Sequence, residues 1–190
     1  MAGSAPLTEP KRSRRARGLE WIVIIVVATV VALGVRAYVA QDFVVPSTSM
    51  WPTLQVGDRI LVNKLAYDLH GIHRGDIVVF RRPPNEHCPP PEVAYLVKRV
   101  IGLSGETLSS RGNHVYVNGR LLHEPWLPSS GADLGTPIPT TTVPKGDIFV
   151  MGDNRVFSCD SRIWGPFPQG YVVGHVVLRI WPPSRIGLPG

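Results

Sequence analysis

The sequence predicts a mainly β protein, in which a single N-terminal transmembrane helix is followed by an antiparallel β domain. Three observations predict it. An uncharged apolar run, WIVIIVVATVVALGV, fills Trp21–Val35, and nothing like it recurs. Beyond it, Val- and Ile-rich stretches are short and broken by turns, with 19 Pro and 19 Gly in 190 residues. Gly-Asp also opens an apolar run three times, in VGDRILV (56–62), RGDIVVF (74–80) and KGDIFVM (145–151). In each, a turn pair hands over to β-branched residues, as at the start of a strand.

Residues 1–18 form a polar tail that carries Lys11, Arg12, Arg14, Arg15 and Arg17. With Glu9 and Glu20 set against them, residues 1–20 carry +3, half of the chain's net charge of +6. What remains shows no basic stripe interleaved with aromatics, which argues against a nucleic-acid partner. The apolar reach of residues 19–40 is about 20 residues, enough to span a bilayer core of ~30 Å as a helix. Arg36 near one end can snorkel while Tyr38 sits at headgroup depth. The basic flank predicts a cytoplasmic N-terminus, with everything after about Ala40 outside the cell membrane. A cleaved secretory signal is the competing reading, and SRR at Ser13–Arg15 hints at a twin-arginine type. Arg36 interrupts the approach to a cleavage site, and Tyr38 stands where a small residue is needed before Ala40, so an uncleaved anchor is expected.

Residues 41–190 should then be an extracytoplasmic β-rich domain. VAYLVKRVIGL (93–103) and YVVGHVVLRIW (171–181) read as further strands, and HVYVNGRLLHE (114–124) as a hairpin turning at Asn118-Gly119. The stretch near 104–145 is expected to be a small insertion, loop-like from Pro125 to Pro144 where Pro, Ser, Gly and Thr dominate. The RGD at Arg74–Asp76 belongs to the Gly-Asp series and is a strand start.

For chemistry, metal catalysis finds little support. There is no HExxH or paired CxxC, and His70, His73 and His87-Cys88 make no convincing ligand set. His175 leaves a Ser-His-Asp triad formally open, but nothing marks it out. The stretch PSTSMWPTL (46–54) holds Ser47 and Ser49 in a proline-restrained loop just past the anchor. A serine nucleophile needs a base, which can be a neutral lysine. In AYLVKRVIG (94–102), strand alternation puts Lys98 with Leu96 and Val100, and Arg99 with Val97 and Ile101, so each apolar face carries one cation. A guanidinium does not deprotonate in a protein, whereas a desolvated ammonium can, so Lys98 is the candidate base.

Three segments, PSTSMWPTL, YLVKRVIGLSGE and MGDNRVFSCDSRIWG (151–165), together resemble the bacterial type I signal peptidases over nearly the whole chain past the anchor. The resemblance implies a fold of the signal peptidase type: an antiparallel β protein whose groove receives an extended peptide. It implies Ser49 as nucleophile and Lys98 as general base, with the Ser47 hydroxyl and the Ser49 backbone N–H forming the oxyanion hole. Ser158 would hydrogen-bond and orient the lysine, and Asp153, Arg155, Asp160 and Arg162 would form a structural polar network. The implied activity is cleavage of signal peptides from secretory preproteins at a lipid bilayer, by a monomer needing no cofactor or metal. In one place the chain departs from the pattern, carrying Val156-Phe157 where the family often has Asp-Asn.

Cys88 and Cys159 are the only cysteines. They face an oxidising exterior and can either pair or stay as small buried side chains. Two rival classes remain. One is a soluble Ser-Lys protease of the self-cleaving repressor type, whose DNA-binding domain has no counterpart here. The other is a membrane-tethered β binding module in which Ser47 and Ser49 only shape a turn.

Overall fold

Each Gly-Asp pair turns the chain into a strand. Gly57, Gly75 and Gly146 take positive φ of 86°, 94° and 85°, a region open to glycine at little cost. The strands that follow are Arg59–Asn63, Ile77–Arg81 and Asp147–Met151. This is a computed structural model, which describes residues 14–88, 93–128 and 133–189, with side chains from residue 20 on except 35–38. The tail before residue 14 lies outside the described residues. By its internal contacts the chain divides into Met1–Tyr38 and Val39–Gly190.

The first unit holds helix α1, Arg14–Tyr38. Its described side chains from Trp21 to Leu33 are apolar and exposed on all sides, Thr29 excepted, whose hydroxyl donates to Ile25 O. Among the described residues no helix is long and apolar enough to cross a membrane. The helix also stops short of the expected Ala40. That residue begins a strand, because residues 40–44 find backbone partners in the β domain.

The second unit is mainly antiparallel β. In chain order the strands are β1 (Ala40–Val44), β2 (Arg59–Asn63), β3 (Ile77–Arg81), β4 (Tyr95–Gly102), β5 (Thr107–Arg111), β6 (His114–Val117), β7 (Arg120–Leu121), β8 (Thr141–Thr142), β9 (Asp147–Met151), β10 (Phe167–Pro168) and β11 (Val172–Trp181). Two one-turn helices, α2 (Ala66–Leu69) and α3 (Ser161–Trp164), join them. A seven-stranded sheet runs β1-β2-β11-β3-β4-β9-β10, and a four-stranded sheet runs β7-β6-β5-β8. The stretch expected as a small insertion is thus a second sheet. Its hairpin turns at Asn118 and Gly119, both at positive φ, as a type I′ turn requires.

The large sheet is packed on both faces, which explains why β3 reads as an unbroken apolar run. Ile77 and Val79 join a core with Val45, Met50, Leu54, Ile60 and Val62. Val78 and Phe80 point the other way, to Val100, Val150, Trp164 and Phe167, with the Phe80 and Phe167 rings 4.6 Å apart. A third core under the small sheet gathers Leu108, Val115, Leu134, Ile138 and Phe149. The catalytic candidates lie on β4 and on the two loops that cross it.

Candidate active site

Ser49 is presented by a turn whose geometry is set locally. The ladder of β1 continues through Val45, which exchanges backbone bonds with Asp58 and Gly57. Pro46 has no N–H to continue it. The chain then winds into a single 3-10 turn, Thr48–Met50. Met50 and Leu54 are fully buried, so the residue before Met50 is held at a fixed height above the core. The Ser47 and Ser49 hydroxyls are 3.2 Å apart.

Lys98 comes from the middle of β4, paired with Val78 on β3. It is 4% exposed, and its Nζ lies 2.6 Å from Ser49 Oγ. Burial pushes its pKa down from 10.5 to about 8, since an ammonium taken out of water loses solvation. Asp160, Glu86 and Asp153 pull the value back up and Arg162 pushes it further down. A neutral amine within hydrogen-bond reach of a serine hydroxyl can take its proton. The geometry therefore suits nucleophilic chemistry without histidine. His175, the residue left open for a triad, stands 3.9 Å from Asp76.

Around this pair runs a groove of about 340 Å³, walled by Ser47, Ser49 and Lys98 together with Pro46, Leu96 and Phe157. Arg82, Glu86, Cys88 and Cys159 also line it. Arg82 pairs with Glu86, and the Glu86 carboxylate accepts from Cys88 N–H at 2.8 Å. Cys88 and Cys159 are joined by a disulfide with their Cα atoms 6.3 Å apart. Among the described residues, Glu86, Cys88 and Cys159 form the one set of metal-ligating groups lying together. With the sulfurs bonded to each other, only the carboxylate remains to ligate.

The third motif supplies the frame, but differently from the expected single network. Asp153 is held by Arg99 through two 2.8 Å bonds and accepts from Thr53 Oγ1 at 2.6 Å. Arg155 reaches Glu124 and donates to Gly152 O at 3.0 Å. Asp160 and Arg162 pair through two 2.8 Å bonds, and Asp160 also accepts from Gly152 N–H at 2.9 Å. Arg162 goes on to carry the carbonyls of Leu134 and Ser158. The result is three buried pairs, two of which draw partners from outside the motif.

Ser158 needs correction. Its hydroxyl is buried and makes no hydrogen bond among the described residues, so the bond expected to Lys98 is not formed. The Lys98 amine makes its short contact with Ser49 instead, and beside Ser158 the chain is a glycine, Gly152, where a Cβ would stand 2.3 Å from both Ser158 Oγ and Ser49 O. The Ser158 hydroxyl is packed against that glycine, while the Lys98 amine is directed to Ser49.

Sequence reasoning missed Arg99, Glu124, Thr53 and the Arg82–Glu86 pair. For Arg99 a signal existed. A guanidinium on an apolar strand face is almost never buried unpaired, so a carboxylate had to lie opposite.

Residues 18–181 match the signal peptidase family, peptidase S26. The chain belongs to that family. It is 40% identical over 171 residues to the signal peptidase I of Leptolyngbya laminosa, covering 89% of this chain and 82% of the relative. With the signal peptidase I of Mycobacterium tuberculosis H37Rv it shares 35% over 234 residues, 97% of this chain and 80% of the relative. With the signal peptidase I V of Bacillus subtilis 168 it shares 40% over 167 residues, 82% and 95% respectively. A crystal structure of a signal peptidase I from Enterococcus faecalis V583 has 34% identity and a TM-score of 0.45, covering 56% of this chain and 97% of that one. The family match spans the PSTSM turn, Lys98 and the GDNR segment together.

Proposed function

We propose that the protein is a membrane-anchored serine endopeptidase that removes signal peptides from exported preproteins through a Ser49–Lys98 dyad. The 2.6 Å contact between Lys98 Nζ and Ser49 Oγ in a buried site carries this reading. Neutral Lys98 takes the Ser49 proton as Oγ attacks the scissile carbonyl. The oxyanion is received by the Ser47 hydroxyl and the Ser49 N–H, donors aimed where charge develops. Lys98 then returns the proton to the leaving amine, which departs as the mature N-terminus. From the acyl-enzyme, the same amine activates the hydrolytic water. The buried pairs of Arg99–Asp153 and Asp160–Arg162 keep the two sides of the site in place.

The substrate binds as an extended peptide with small side chains, typically Ala, at the first and third positions before the cut, because shallow apolar pockets exclude larger ones. The anchor is the helix within residues 19–40, single-pass with its N-terminus cytoplasmic. A helix whose described side chains from Trp21 to Leu33 are apolar all round, Thr29 excepted, suits lipid better than water. Proteolysis from outside spheroplasts should digest the β domain and spare the N-terminus; the reverse pattern overturns this orientation.

The function is tested with the detergent-solubilised full chain and a preprotein. One cleavage at the end of the signal peptide, lost in both Ser49→Ala and Lys98→Arg, is expected. Substantial cleavage by Lys98→Arg overturns the dyad.

A further inference from the structure

Phe157 is 73% exposed. Its ring joins none of the three cores. A lone exposed Phe on a protein surface needs no explanation, but this one lines the catalytic groove, with Pro46, Val93 and Leu96 as apolar neighbours around Ser49 and Lys98.

The backbone beneath the ring is tied to the nucleophile. Phe157 N–H donates to Asn154 O at 3.2 Å, and Asn154 N–H donates to Ser49 O at 3.0 Å. The Asn154 side chain donates to Thr48 O at 3.1 Å. From behind, Gly135 leaves no slack: a Cβ there would approach Val156 Cα to 3.0 Å. Two residues on, Cys159 is bridged to Cys88, which also lines the groove. The backbone that carries the ring therefore keeps a fixed register to Ser49.

Resting on the reading of this groove as the seat of an extended preprotein, we infer that Phe157 forms an apolar subsite that selects an aliphatic or aromatic substrate side chain close to the scissile bond. An apolar side chain laid on the ring and Leu96 removes apolar surface of both partners from water. A polar side chain in the same place loses solvation and finds no hydrogen-bonding group on the ring. An extended peptide points successive side chains to opposite faces. The preference therefore appears at one substrate position, or at positions two apart, and not at direct neighbours.

The test uses a preprotein series carrying Leu or Asn, similar in size, at single positions flanking the cut, leaving out the first and third before it. Each pair is cleaved in competition, so the ratio of kcat/KM values does not depend on the amount of active enzyme. The wild-type chain should favour Leu about tenfold at the position that meets the ring, and Phe157→Asn should bring this below about twofold. Phe157→Leu, which keeps an apolar side chain, should hold most of the preference. Identical ratios in wild type, Phe157→Asn and Phe157→Leu at every position overturn the inference. Failure of the wild-type chain to cleave any of the series overturns the proposed function instead, a separate result.

Discussion

Arg99 and Asp153 are joined by two 2.8 Å hydrogen bonds, with side chains 5% and 0% exposed. The pair links the strand residue beside Lys98 to the loop that follows β9. Breaking a buried pair on one side leaves an uncompensated charge, at a cost of about 3–5 kcal/mol. Asp153→Asn and Arg99→Ala should each lower stability by that order. The double variant should lose clearly less than the two losses added. Urea unfolding of the four proteins measures it, and strict additivity contradicts a direct pair.

Ser47 and Ser49 should differ in kind. Loss of one oxyanion donor typically lowers turnover about 10²–10³-fold, because backbone donation remains. Ser49→Ala removes the covalent route altogether. Single-turnover cleavage of a preprotein separates them: Ser47→Ala should show slow but measurable product and Ser49→Ala none. Equal loss in both contradicts the division of roles.

The disulfide in the groove wall joins segments 71 residues apart in sequence. A crosslink over a long loop typically contributes about 2–4 kcal/mol, in large part by restricting the unfolded chain. Cys159→Ala should lower stability by that order, and alkylation of the denatured wild-type chain without reductant should add no label. Two labels per chain contradict the bridge.

The parts of this architecture legible in the sequence are those whose cause is local. Gly-Asp before a β-branched run needs only its own residues to make a turn and a strand, and Asn118-Gly119 carries its turn type in two residues. The PSTSM, YLVKR and GDNR segments likewise hold Ser49 and Lys98 in recognisable company. The expected hydrogen bond of Ser158 is not formed, because whether Lys98 turns to Ser49 or to Ser158 is set by how segments far apart in sequence pack, not by either motif alone. Strand β5, TLSSR, carries too little apolar alternation to announce itself, and Leu108 alone of its five residues is buried. Strand β1 was hidden because an apolar run led straight into it. The partners of Asp153 and Arg155 lie 54 and 31 residues away, and no spacing rule in one sequence reports such pairing.

Lys98 should control both the rate and the stability as pH changes. Activity should fall as pH drops through about 8, because protonation removes the base. For stability the sign follows from the same shift. The folded value lies below the unfolded one, so between pH 8 and 10.5 the unfolded chain holds more protons than the folded one. Stability therefore rises with pH across that window. Below it, the folded state carries the net cost of a buried ammonium, about 3 kcal/mol at 1.36 kcal/mol per pH unit, after the favourable pull of Asp160, Glu86 and Asp153. Lys98→Met, which keeps length and burial without charge, should be inactive yet more stable than wild type below pH 8. Its advantage should shrink toward pH 10.5. Unfolding of the solubilised chain at a series of pH values, followed by fluorescence of the β-domain tryptophans, measures the difference. A gap between the two proteins that stays constant with pH would mean that Lys98 is an ordinary, solvated lysine, and the acid limb of activity would have to belong to another group.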